Sequence, residues 1–333
     1  MSRVGWALPT IFDRWPRDWW AVPTLQEADV QIVALGNPDS WYCRDLERAA
    51  SARGHNCVRG DFPALIAGVG PIGRRQRGDD GGSAEPLLRS GEIDLRRADA
   101  VIVRTMPPGS LEQVVFRMDA LARLEVAGVC VLNSPRSLEC AVDKYLTTAR
   151  LAAAGLPVPA TMVCEGSEAA LEAFERLGGD VVVKPLFGAE GRGILRVSDP
   201  DLALRTFRTL ERIDAVLYLQ EYIDHAGFDV RVLVLDGKVV GGMQRHGEGD
   251  FRTNVSRSGR AEPHVVTDEE AEWSLRAAAV TGARVAGIDL LTDRTGQRYV
   301  IEVNAVPGWK AFSRVTGIDV ADRVIAAVER GVR

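Results

Sequence analysis

Apolar positions in this chain fall into two rhythms, and their alternation predicts most of its elements. The run Val30-Gln31-Ile32-Val33-Ala34-Leu35 has the composition of a buried strand, and an amphipathic stretch over 41–53 follows, ending at Gly54 where a helix C-cap is expected. A strand at 56–59, a strand at 100–104, a helix at 111–127 and a strand at 129–132 continue the pattern. Strands separated by helices predict a parallel sheet with helices on its faces. Residues 68–91, rich in Gly, Arg and Asp, read as a mobile excursion from that sheet. Arg104 and Ser110 border the carboxyl end of a strand, the usual ligand edge of an open α/β sheet, and are candidates for substrate contact.

A new helix opens at Ser134-Pro135, a capping residue with proline at the first helical position, and is expected to run through Asp143-Lys144-Tyr145 to Gly155. Strand 161–164, helix 167–177 and strand 180–184 follow, and then Leu186-Phe187-Gly188-Ala189-Glu190-Gly191-Arg192-Gly193 leads into a strand at 194–197. Glycines so spaced let backbone N–H groups approach and cradle phosphates. The loop lacks a Gly-Lys-Ser/Thr ending and no helix follows it, so it is neither a Walker loop nor a Rossmann fingerprint. Residues 216–223 form an apolar strand with a polar end, whose free backbone edge could pair with a flat heterocycle such as adenine.

In 229–235 the alternation puts Asp229 and Arg231 on one face, where a surface ion pair would be worth little. The chain turns at 236–238 and returns antiparallel over 239–245. Residues 245–260 carry many charged side chains and little that could build a core, so an exposed or binding loop is expected. A capping box at Thr267-Asp268-Glu269-Glu270 opens a helix to about 285, and a last helix is expected over 319–330.

Between those helices, 286–291 and 299–304 alternate around turn residues and predict an antiparallel hairpin. A loop centred on 294–297 sets Asp289 opposite Glu302, and Asn304 shares the face of Glu302. Facing carboxylates repel. A hard cation between them reverses the sign, and three oxygen donors without Cys or His suit Mg²⁺.

With 333 residues and 46% hydrophobic content the chain can bury a large core, and its length suggests two or three domains. A net charge of −5 gives no reason to expect nucleic acid or a membrane as partner. The five cysteines lack CxxC spacing, which fits reduced thiols and a cytoplasmic setting better than a disulfide framework or a zinc site. Trp6, Trp15, Trp19 and Trp20 crowd the first 28 residues among prolines, which reads as an arm packing its indoles on the body or on a second subunit.

Taken in order, these motifs resemble the ATP-grasp ligases of the RimK type. The likeness is carried by Asp143-Lys144, Lys184-Pro185-Leu186 with the glycine loop, Gln220-Glu221-Tyr222-Ile223, Asp229 with Arg231, Gly249-Asp250-Phe251-Arg252-Thr253-Asn254, and Asp289, Glu302 and Asn304. The resemblance implies an α/β pre-ATP-grasp domain (29–134) after the tryptophan arm (1–28). An α+β ATP-grasp fold of two subdomains (135–222 and 223–333) would then clasp ATP. It further implies that Lys144 and Lys184 hold the ATP phosphates, that Gly188, Gly191 and Gly193 close over them, and that Glu221 and Tyr222 line the adenine slot. Asp229 would take the ribose side, and Arg252 and Asn254 the phosphates. Arg252 and Arg245 would be catalytic, and Asp289, Glu302 and Asn304 would ligate Mg²⁺ or Mn²⁺.

The chemistry implied is amide-bond formation through an acyl phosphate, with a small-molecule carboxylate acceptor and L-glutamate as the incoming amine, in a homodimer or homotetramer. Residues 106–119 also look like those of members that glutamylate a pterin-type one-carbon carrier. One departure stands out: Gln244 and Gly247 occupy positions where many members have basic residues, which bears on the acceptor's identity. The rival readings are an ATP-grasp kinase, which would leave a stable phosphorylated product, and a nucleotide-binding regulator, which would have lost an ATP lysine or a metal ligand.

Overall fold

The structure, a computed structural model, describes residues 29–70, 87–188, 191–247 and 260–332. Chain order opens with β1 (Gln31–Leu35), α1 (Trp41–Ala52) and β2 (Asn56–Gly60). A small antiparallel sheet of β3 (Leu65–Ala67), β4 (Leu88–Ser90) and β5 (Ile93–Asp94) follows, before β6 (Ala100–Val103), α2 (Leu111–Val126) and β7 (Cys130–Leu132). The four strands β2-β1-β6-β7 pair in that order, all parallel, as the continuous apolar runs predict. The excursion expected over 68–91 is shorter than its composition suggests. Leu88 is buried against the core, and the Ser90 hydroxyl donates to Asp61 O at 2.8 Å, which holds β4 against the sheet. Residues 71–86, and the tryptophans of 1–28, lie outside the described residues.

The single helix expected over 134–155 is two: α3 (Pro135–Val142) and α4 (Lys144–Ala153). Asp143 is extended (φ −85°, ψ 103°), and its carboxylate accepts the Leu146 N–H at 2.9 Å, so it caps a new helix instead of continuing the old one. That break places Lys144 at the first helical position.

A second sheet, antiparallel and ordered β10-β9-β11-β8, is built from β8 (Thr161–Cys164), β9 (Val181–Lys184), β10 (Leu195–Val197) and β11 (Leu217–Glu221). Two helices cover one face: α5 (Ser167–Arg176) and α6 (Pro200–Glu211), which bury Phe174 and Phe207 against Val183 and Leu219. Strand β11 is paired on both sides, so 216–223 offers no free edge along its length. Only beyond the Tyr222 N–H, which donates to Asp180 O at 3.0 Å, does the chain leave the ladder.

The third sheet holds β12 (Phe228–Leu235), β13 (Lys238–His246), β14 (Arg260–His264), β15 (Val285–Thr292) and β16 (Arg298–Asn304) in the antiparallel order β14-β13-β12-β15-β16. Strand β13 reaches His246, so Arg245 belongs to the sheet and not to the loop expected from 245 onward. The capping box of Thr267 and Glu270 starts α7 (Asp268–Thr281), and Gly282 ends it at φ 72°. Helices α8 (Lys310–Thr316) and α9 (Val320–Val332) close the chain. Asn133, buried at the end of the first sheet, ties it to the third: its amide donates to Val285 O at 2.7 Å and Ala305 O at 2.5 Å and accepts from Val285 N at 3.0 Å. Among the described residues, no helix is long and apolar enough to cross a membrane.

Candidate ATP and metal site

The hairpin sets Asp289 opposite Glu302, as its alternation predicts, but by a different route. Pairing runs Thr292 with Arg298, Leu291 with Tyr299 and Leu290 with Val300, then shifts so that Ile301 is passed over and Asp289 meets Glu302. A bulge therefore sets the two residues opposite each other. Gly287 pairs with Asn304, whose amide lies 3.4 Å from Asp289 Oδ2.

The Asp289 carboxylate is met by two guanidinium groups that the sequence argument left out. Arg231, the cross-strand neighbour of Asp289 on β12, donates Nε and Nη2 to its two oxygens at 2.7 Å each. Arg245 adds a contact at 2.9 Å to Oδ2 while its fork closes on both oxygens of Asp229. Burial would raise the Asp289 carboxyl, and the two guanidinium groups more than reverse this, holding it below the usual range. Burial likewise works against the Arg245 charge, yet Asp229 and Asp289 drive its pKa up. Arg245 is 3% exposed, with its guanidinium engaged by Asp229 and Asp289. Asp229, expected at a ribose, is 7% exposed with both oxygens in that fork.

A carboxylate offers about four lone-pair sites, and these contacts fill three of them on Asp289. One on Oδ1 remains. Glu302 is half-buried and has no hydrogen bond or ion pair among the described residues. A monodentate Asp289, an open Glu302 and the Asn304 amide thus fit a hard divalent cation that keeps several waters.

Across from this face stands β9. Lys184, at its end, donates to Gln220 Oε1 at 2.6 Å, and burial pushes its pKa down to about 8. Glu302 and Asp289 raise it and Lys144 lowers it further, so the charges of the hairpin carboxylates and of Lys144, at the start of α4, are felt at Lys184. Lys144 itself donates to Gly188 O at 2.9 Å, pinning the glycine loop. Gly191 and Gly193 have φ of 68° and 74°, and a Cβ on Gly193 would lie 2.9 Å from Pro185 Cγ, so the turn requires glycine there.

Glu221 Oε1 accepts the Ala160 N–H at 2.7 Å, and the Tyr222 ring lies 3.4 Å beneath the Arg196 guanidinium. Arg252 and Asn254 lie outside the described residues. Ser110 caps α2 in a box with Gln113, which explains it without a substrate. Arg231 was not foreseen as the partner of Asp289. Alternation showed the face it occupies, but no local signal says that β12 lies beside β15.

Residues 141–328 match the RimK-like ATP-grasp domain. The chain belongs to the RimK-like ATP-grasp family. It is 34% identical over 324 residues to the tetrahydromethanopterin:alpha-L-glutamate ligase of Methanosarcina acetivorans, covering 88% of this chain and 96% of that one. The ribosomal protein bS6–L-glutamate ligase of Escherichia coli O139:H28 is 30% identical, with 90% and 96% covered. In fold, this RimK-like chain is similar to the ATP-grasp ligase PsnB complexed with a minimal precursor, Mg and ADP, with a TM-score of 0.67, 24% identity and coverage of 90% and 98%. The protein is therefore an ATP-dependent ligase of the carbon–nitrogen bond-forming class, with an α/β amino-terminal domain followed by an ATP-grasp fold.

Proposed function

We propose that this ligase uses ATP with Mg²⁺, or Mn²⁺ in its place, to join the carboxylate of a small molecule to the amino group of L-glutamate through an acyl phosphate. The acceptor we favour is a one-carbon carrier of the pterin type or a similar acid, the class acted on by the methanogen relative. The observation that carries the reading is that the charges of Lys144, Asp289 and Glu302 are felt at Lys184, beside a glycine loop.

Phosphoryl transfer asks for alignment and charge relief more than for a covalent group on the protein. Lys144 and Lys184 supply fixed positive charge for the phosphates, and the loop of Gly188, Gly191 and Gly193 covers them. Asp289, Glu302 and Asn304 would hold the divalent ion, which when bound neutralises phosphate charge. Arg231 and Arg245 keep Asp289 ionised and aimed. Excluding water protects the acyl phosphate until the amine arrives. Glu221 and Tyr222 flank the adenine side, and Asp229 would take the ribose side.

The test is incubation of protein, ATP and Mg²⁺ with L-glutamate and a panel of acids that includes reduced pterin carriers. ADP and phosphate released together, only when both substrates are present, support the ligase; ADP with a stable phosphorylated acid would identify a kinase.

A further inference from the structure

Arg104 carries a charge that the phosphate site does not use. It follows β6 at the carboxyl end, next to Gly36 at the end of β1, and the order β2-β1-β6-β7 makes the gap between β1 and β6 the point where the winding of the sheet reverses. Open α/β sheets bind ligands in that crevice. Arg104 is 4% exposed, with its guanidinium 4.0 Å from the Trp309 ring centre and 4.9 Å from that of Tyr42. Its one hydrogen bond among the described residues goes from Nη2 to Pro307 O at 3.0 Å, and Nε is buried without a partner.

Among the described residues, no carboxylate answers this charge. Burial lowers the Arg104 pKa to about 10, and the groups that oppose the shift are Tyr42 and Cys43, neither of them a carboxylate. Arg245, equally buried, is enclosed by two acids. A neutral amide could make the single contact to Pro307, so a desolvated cation here calls for an anion that arrives from outside. A second buried arginine, Arg117, stands on the far side of the same loop and donates to Pro107 O at 2.6 Å, with no ion pair among the described residues. Glycine permits the close packing around Arg104: a Cβ on Gly36 would lie 3.2 Å from Arg104 Cβ, and one on Gly308 would lie 2.7 Å from the Tyr42 hydroxyl.

We propose that this crevice seats a carboxylate of the substrates, and specifically the side-chain carboxylate of the incoming acidic amino acid, with Arg104 as its anchor. The proposal rests on the ligase reading. Pro307 follows Asn304 by three residues, a span of at most about 10 Å, so the seat lies within reach of the phosphate site. The carboxylate of glutamate farthest from the attacking nitrogen is the one such a separation suits.

The experiment compares wild type, Arg104→Gln and Arg104→Lys for KM toward L-glutamate, L-glutamine and ATP, and for the thermal shift that L-glutamate or glutarate gives in the presence of an ATP analogue. Arg104→Gln is expected to raise the glutamate KM at least ~30-fold, to narrow the preference for glutamate over glutamine, and to leave the ATP KM within about twofold. It should also abolish the thermal shift by glutarate. Should Arg104→Gln not fold, Arg104→Lys, which keeps the charge but loses the fork, is expected to show a smaller rise confined to the acidic amino acid. Equal losses for glutamate and glutamine, or a wild type that gains no thermal shift from either dicarboxylate, would overturn the seat and leave the ligase reading intact. A stable phosphorylated product would overturn the ligase reading, and the glutarate shift would still decide the seat.

Discussion

Arg231 grips Asp289 through two parallel N–H···O contacts of 2.7 Å, and this fork sets what Asp289 has left to offer an ion. Removing it leaves a buried carboxylate with Arg245 as its remaining counter-charge. Arg231→Ala is expected to cost about 3–5 kcal/mol in urea denaturation, the range for breaking a buried pair. Arg231→Lys should recover part of this, because a lysine supplies charge without the bidentate geometry. A midpoint unchanged in both variants would show that the fork contributes nothing to stability.

Glu302 differs from its partner in having no hydrogen bond or ion pair among the described residues. Glu302→Gln therefore strands no buried group, and the melting temperature should stay within about 3 °C. If Glu302 holds the proposed ion, turnover should fall at least ~100-fold, since a ligand to the charge that neutralises the phosphates would be lost. ADP release measured across a Mg²⁺ series checks this, and a variant with wild-type turnover at low Mg²⁺ would remove Glu302 from the ion.

The hairpin that carries Asp289 and Glu302 was legible because strand alternation and turn residues are local signals. Its register was reached from a loop taken one half-step too long; the bulge at Ile301 made up the difference. The break at Asp143 was also written locally, as a capping residue three positions before Leu146, but the apolar period ran through it and concealed two helices as one. Helix α6 had its own cap in Asp199 and a proline at its first position, and was overlooked. What no local pattern contains is which strands become neighbours. Arg231 beside Asp289 and Asn133 beside Val285 are consequences of sheet order, settled by the packing of whole elements.

Gly193 supports a prediction about the loop. Its φ of 74° and the 2.9 Å separation of a notional Cβ from Pro185 Cγ mean that Gly193→Ala strains the turn twice over. The strain, about 1–3 kcal/mol, falls on a segment outside the three hydrophobic cores. Affinity for an ATP analogue should drop roughly tenfold or more in calorimetric titration, while global unfolding moves little. Equal affinity in variant and wild type would show that the loop does not close on nucleotide.

Lys184 at the proposed phosphate site is expected to make nucleotide binding depend on pH. Burial is the main reason its folded pKa falls to about 8, with Lys144 adding to the fall and Glu302 and Asp289 opposing it; Tyr218, itself pushed up by burial, is neutral here. Between pH 8 and the ordinary lysine value of 10.5 the unfolded chain binds more protons than the folded one, so this residue makes stability rise with pH across that window. Binding runs the other way. A polyphosphate favours the ammonium form, so the complex must take up a proton once free Lys184 is neutral. Above pH 8 the affinity for an ATP analogue should weaken, approaching about tenfold per pH unit. Titrations at pH 8.5 in two buffers of different ionisation enthalpy should show uptake approaching one proton in wild type and close to none in Lys184→Met. Equal uptake in the two proteins would assign the proton to another group, and a flat pH profile would mean that Lys184 does not face the phosphates.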